Sequence, residues 1–167
     1  MATKMCVAAA NHIIRLTNEY NSQRPHAEQI SMTCKRLQKI LYFSDIAYMK
    51  SHNGDSMFTD QFYAWPSGPV IPSVYYRFMQ YQNGEMLPAS WQGSDLEQDQ
   101  IATIEEVFKQ TASMDTLDLV DFSHIPGGPW CHAFNPDDPE HMQIVPKERM
   151  YAFYRNRPIF TNELSSN

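Results

Sequence analysis

At 167 residues and a net charge of −6, this sequence has the size of one domain, since domains most often hold roughly 100–150 residues. Hydrophobic residues make up 43% and charged residues 19%, which argues against wholesale disorder and for a core built without disulfides or metals. The acidic balance weighs against a general nucleic-acid coat and against a membrane-surface binder, both of which are usually basic.

The cysteines, Cys6, Cys34 and Cys131, are odd in number and show no CxxC spacing. That suits a reducing compartment better than a secreted disulfide framework. Asn11, His12 and Arg15 interrupt any signal-peptide core, and no run approaches the ~20 apolar residues of a membrane span. A soluble cytoplasmic protein without cofactor or metal is expected.

In chain order, Met5, Ala9, Ile13, Leu16 and Tyr20 recur at helical spacing and predict a helix over 4–20. Residues 21–27 carry Pro25 and read as a loop. A second helix is expected from about Thr33 to Lys50, capped by Ser31 or Thr33. Leu37, Ile40, Leu41 and Tyr48 form its apolar face, and Tyr42, Phe43 and Ala47 widen that face far beyond a stripe. A helix so broadly apolar belongs at the centre of the core. Gly54 suits a left-handed turn after it.

Residues 57–65 are aromatic and roughly alternating, which predicts a short strand or a hairpin bent at 59–61. The run that follows holds Trp65, Pro66, Gly68, Pro69 and Pro72, and it reads as a rigid turn that no strand or helix crosses unbroken. Pro72 opens a helix carrying Val74, Tyr75, Phe78 and Met79 and ending near Asn83-Gly84. A loop over 84–93 leads to a capping-box pattern at Ser94–Glu97 and a helix to about Thr111. Asp115 can cap a shorter helix ending at His124. The run 125–130 is turn-rich, 135–143 is loop, and Pro146 opens a last short helix. The expectation is a mainly α, single compact domain over 1–155, with about five to six helices and a short β-hairpin near 57–65. Residues 156–167 form a flexible tail.

Two segments together resemble a known family. The first is Leu37-Gln38-Lys39-Ile40-Leu41-Tyr42-Phe43, followed by Ala64-Trp65-Pro66-Ser67-Gly68-Pro69-Val70-Ile71-Pro72 and Tyr75. The second is Asp118–His124 with Pro129-Trp130 behind it. This pattern resembles the Panacea domain, also described as the SocA-like or phage-associated GepA-like family. The resemblance implies a mainly helical antitoxin with no accepted enzymatic activity, which neutralises a toxin by binding it. Among the family's members is an adaptor that delivers its toxin to the ClpXP protease, so the implied partners are a cognate toxin and a ClpXP-type protease. The residues carried over as structural or partner-binding are Lys39, Tyr42, Trp65, Pro66, Gly68, Pro69, Tyr75, His124, Pro129 and Trp130. The chain departs from the family at Ser44–Ala47, at Ser123 in place of threonine, and in its glycine- and proline-rich 125–129 run.

Each motif also has a plainer reading. The Trp65–Pro69 turn is either a partner-binding edge or a structural plug on the central helix, with Tyr63, Tyr75 and Tyr76 displayed around it. His124 is a general base, a ligand or, more simply, a helix-end histidine. Cys131 and His132 lack the spacing of a zinc site, and a lone cysteine is usually inert. The acidic run Asp137-Asp138-Pro139-Glu140 is a solvated loop or a steering surface for a basic partner. Two alternatives to the antitoxin remain. One is a hydrolase around Cys131, His124 and Asp121. The other is a DNA-binding regulator using the Pro72–Tyr81 helix, whose only basic residue is Arg77.

Overall fold

Helix α2 (Cys34–Ser51) is the axis around which the other elements pack, and every residue from Arg36 to Ile46 along it is buried. The computed structural model describes residues 3–81, 86 and 96–160. The remaining described elements are α1 (Lys4–Ser22), β1 (Phe62–Trp65), β2 (Gly68–Val70), α3 (Pro72–Gln80), α4 (Gln98–Thr111), α5 (Thr116–Ser123), α6 (Pro129–Ala133), β3 (Ile144–Val145) and α7 (Lys147–Tyr154), with a single 3-10 turn at His26–Glu28. The chain is mainly helical, as its periodicity predicts. The five-residue α6 begins within the run 125–130 that reads as turn from sequence.

Local chemistry sets the boundaries. The Thr3 hydroxyl accepts from the Cys6 N–H at 3.3 Å, and that of Thr33 accepts from the Arg36 N–H at 3.1 Å, capping α1 and α2. Asn53 and Gly54 turn the chain at positive φ after α2, and the Gly54 N–H returns to the Met49 carbonyl. Pro72 takes the first turn of α3, where its missing N–H costs nothing. The Gln100 side chain reaches back to the Glu97 N–H at 2.8 Å to start α4. The capping box read at Ser94–Glu97 and the helix stop at Asn83-Gly84 lie partly or wholly outside the described residues.

The core joins Val7, Ile13 and Ile14 of α1 to Leu37, Ile40, Leu41, Phe43 and Ile46 of α2, then to Phe62, Val74, Phe78, Ile104, Val107, Leu119 and Met150. Burying one such side chain contributes about 1.5–3 kcal/mol. Residues 156–160, assigned to the tail from sequence, place Phe160 edge-on to Phe43 and Phe122. No described helix is long and apolar enough to cross a membrane.

The strands form a three-stranded antiparallel sheet in the order β2-β1-β3. The hairpin closes through Pro66-Ser67, with Trp65 opposite Gly68 and Ala64 opposite Pro69, rather than bending at 59–61. The reason lies in side-chain competition for the earlier backbone. The Asp45 carboxylate takes the Met57 N–H at 2.7 Å, the Ser56 hydroxyl bonds both the N–H and the carbonyl of Phe58, and Asp60 is held by Thr3. Contrary to the sequence reading, a strand does pass through Pro69. In an antiparallel pair alternate residues turn their main-chain groups outward. Pro69 occupies such a position on an edge strand, so its missing N–H removes no ladder bond.

Candidate functional site

Consecutive side chains of α2 grip the hairpin and its exit. Gln38 donates its amide N–H to the Ile71 carbonyl at 3.2 Å and accepts from the Ile71 N–H at 2.9 Å. It pairs with one residue's backbone as a neighbouring strand would, just where β2 becomes α3. Lys39 is wholly buried, and its ammonium donates to the outward-facing Pro69 carbonyl at 3.4 Å. Burial, reinforced by nearby Lys35, pulls its pKa down to about 7.

Gly68 makes this approach possible. Its φ is +120°, which L side chains rarely adopt, and a Cβ there would lie 2.5 Å from Lys39 Cε and 2.9 Å from Ser123 Oγ. The hairpin therefore packs backbone-first onto the lysine stem and the end of α5.

The other side of the joint is aromatic. The Trp130 indole N–H donates to the Trp65 carbonyl at 2.8 Å, tying α6 to the end of β1. The His124 ring stacks on Trp130 at 3.7 Å, almost parallel, and Phe134 stacks on the same indole at 4.6 Å. His124 caps the C-terminal end of α5, with its N–H bonded to the Val120 and Asp121 carbonyls. Burial and the Lys39 charge push its imidazole pKa down, against the opposing pull of Asp121 and the Ser67 backbone. Its Nε2 and the Trp65 indole N–H are buried without a hydrogen-bond partner among the described residues. Pro129 is buried at the start of α6, and Trp65 meets Tyr75 edge-on at 5.1 Å.

The structure thus gathers Lys39, Trp65, Gly68, Pro69, Tyr75, His124, Pro129 and Trp130 around one joint, with Pro66 exposed at its tip. Tyr42 stands apart. It is buried edge-on to Phe43 and Phe62, its hydroxyl has no described partner, and its electrostatic neighbours are Tyr154 and Cys131. The Cys131 thiol points at the His124 and Ile125 carbonyls, each 3.3 Å away, and burial raises its pKa. A thiol facing carbonyl oxygens is held away from the nucleophilic thiolate form. Among the described residues no cluster of metal-ligating side chains occurs.

Outside the joint lies a surface of the kind that partners occupy. Tyr76 is 64% exposed and Met79 52%, one turn apart on α3, and Tyr81 follows at the helix end. Tyr75 packs edge-on to Tyr76 at 5.4 Å, so half-buried Trp65 and Tyr75 lead out to exposed Tyr76 as a continuous aromatic step. Below the start of α3 a cavity of about 310 Å³ is lined by Asp60, Gln61, Tyr63, Ile71, Pro72 and Ser73.

Polar anchors of this scaffold went unread in the sequence. Asp45, wholly buried, binds the Ser56 hydroxyl, the Met57 N–H and the Lys147 ammonium at 2.6 Å, joining α2 to the 56–58 segment and to α7. Arg36 donates to the Thr111 and Met114 carbonyls at 2.8 Å each, closing the C-terminal end of α4. The signal was present in both cases: a charged residue on a helix face otherwise apolar must be paired when buried.

A family model described as "Antitoxin SocA-like, Panacea domain" matches residues 37–131, the span from the start of the α2 motif to the end of the His124–Trp130 stack. No curated protein and no solved structure matches the chain. The matched segment takes in Gln38 and Lys39, the hairpin they hold and the Trp130 that closes it, and covers more than half the chain: the protein belongs to the SocA-like antitoxin family of Panacea-domain proteins.

Proposed function

We propose that this protein neutralises a cognate toxin by direct, stoichiometric binding without turnover, through the aromatic surface of α3 and the hairpin tip. The family match supports an antitoxin-like role. The observation that carries the choice of surface is the exposure of Tyr76, Met79 and Tyr81 on a helix whose start is clamped by Gln38. Tyrosine and other large rigid side chains dominate interface energetics, and a clamped backbone lowers the entropy lost on docking. The acidic net charge favours a basic toxin surface through faster encounter.

Co-expression with the product of the adjacent gene tests this directly. Growth should be restored and the two chains should co-purify at fixed ratio; a harmless neighbour, or absence of a complex, removes the pairing. Tyr76→Ala and Met79→Ala should each weaken the complex about tenfold or more, with an unchanged melting temperature because both side chains are exposed. The toxin's level separates two modes. A steady level means occlusion alone, whereas a falling level that recovers without ClpXP means delivery to that protease.

A further inference from the structure

The two edges of the small sheet differ. The β2 edge is buried throughout and covered by α2 and α5. The β3 edge is touched by α6 but stays the more exposed of the two, with Ile144 44% exposed and the nearby Met142 43%. Register fixes which main-chain groups face outward there. The Ala64 N–H donates to the Gln143 carbonyl at 2.8 Å, and Tyr63 lies opposite Ile144. Alternation in an antiparallel pair then turns the Ile144 N–H and C=O away from β1, towards the side where a further strand would add.

Chemistry beside that edge suits an anion. Ile144 and Gln143 line a cavity of about 250 Å³ together with His132 and Ala133 from the end of α6, and with Pro146 and Arg149 at the start of α7. Beyond their backbone bonds to Pro146 and Gly128, the Arg149 guanidinium and the His132 ring have no ion-pair or hydrogen-bond partner among the described residues. In a chain of net charge −6, an unpartnered guanidinium and imidazole beside an exposed strand form a local basic site.

We infer that the β3 edge and this cavity dock an extended, carboxylate-bearing peptide segment of a partner protein, added as a fourth strand. The Ile144 N–H and C=O pair with the segment's backbone. Arg149 and His132 take its carboxylate, and the walls of Ala133 and Pro146 take a neighbouring apolar side chain. The site lies at the sheet edge opposite the hairpin that leads into α3, so it stands independently of the toxin-binding surface.

The probe is an acetylated hexapeptide of alternating threonine and valine ending in glutamic acid, titrated into the isotope-labelled full chain. Amide shifts should centre on Gln143, Ile144 and Arg149. Ile144→Pro removes only an outward N–H, a place where an edge strand tolerates proline. That variant should therefore melt like the parent and bind at least tenfold more weakly. Arg149→Gln, on an exposed position, should also keep its melting temperature and lose at least fivefold in binding. The same peptide ending in glutamine amide should bind at least fivefold more weakly to the parent. Absence of shifts at this edge at millimolar peptide, or equal binding by Arg149→Gln, or equal binding of the amide-ended peptide, would overturn the assignment. If Ile144→Pro fails to fold, the Arg149 variant and the amide-ended peptide still decide.

Discussion

Replacing Lys39 with methionine should stabilise the protein and flatten part of its pH dependence. The ammonium is wholly buried, carries one long bond to the Pro69 carbonyl, and has its pKa pulled from 10.5 to about 7. Between those values the unfolded chain binds the proton and the native one does not, so stability rises with pH across the window. A gap of about 3.5 units at 1.36 kcal/mol each corresponds to a penalty of about 5 kcal/mol, fully present below pH 7 and gone above pH 10.5. Between pH 7 and 8.5 the wild type should gain on the order of 2 kcal/mol from this residue. Methionine fills the same space without a charge and gives up the Pro69 bond, which is worth about 1 kcal/mol. The net gain at pH 7 is then about 3 kcal/mol. Urea unfolding of both proteins at half-unit steps from pH 7 to 8.5 measures this. The difference between the two should be largest at pH 7 and shrink as pH rises, with contributions from shared groups cancelling. Parallel profiles, or a variant less stable than the wild type at pH 7, would refute the placement of an uncompensated amine beneath the hairpin.

Gly68→Ala should destabilise by about 2 kcal/mol or more, because it strains a φ of +120° and drives a methyl into the Lys39 stem. Adding Lys39→Ala should recover the lysine's share of the steric cost and leave the φ cost and the Ser123 contact, which urea midpoints will resolve. Asp45→Ala removes the partner of the Lys147 ammonium and should cost about 3–5 kcal/mol, while a paired Asp45→Leu, Lys147→Met variant should recover part of that loss, the buried Met57 N–H still lacking its acceptor. His52 bonds the Tyr48 carbonyl and, at 2.8 Å, Asp99, contacts that hold its pKa above the usual histidine value. Its contribution is fully present below about pH 6.5 and is lost as pH rises through the elevated native value. The melting temperature of His52→Gln should therefore fall further below that of wild type at pH 5.5 than at pH 8.5.

Helices were legible where one residue type dominates the outcome. Thr33, Gly54 and Pro72 announce ends, and the breadth of apolar residues from Leu37 to Ala47 announces a central helix. The hairpin was harder, because its position depends on which side chains claim the backbone of 56–60, and Asp45 and Thr3 lie far away in sequence. Strand β3 has two residues and no periodicity to show, and it exists because Phe62 and Tyr63 offer it a partner. At the joint, the prolines, Gly68 and Trp65 mark a special turn in sequence, but the roles of Gln38 and Lys39 depend on the backbone groups that face them. Tyr42 shares their motif and, three and four residues on, roughly their helix face, but it lies further along α2 and meets Phe62 at the start of β1 instead of the turn.

Gln38 has a counterpart in Asn11, a buried amide on α1 that donates to the Met86 carbonyl at 3.1 Å and accepts from the Met86 N–H. Each amide reads a peptide group, which every residue except proline presents in the same form. The fold is thus pinned at two points whose recognition is blind to side-chain identity. Residues flanking those pins can be exchanged over evolutionary time without touching the bonds that hold the pins in place. Such an arrangement leaves the protein's outward-facing chemistry free to change while its framework stays constant.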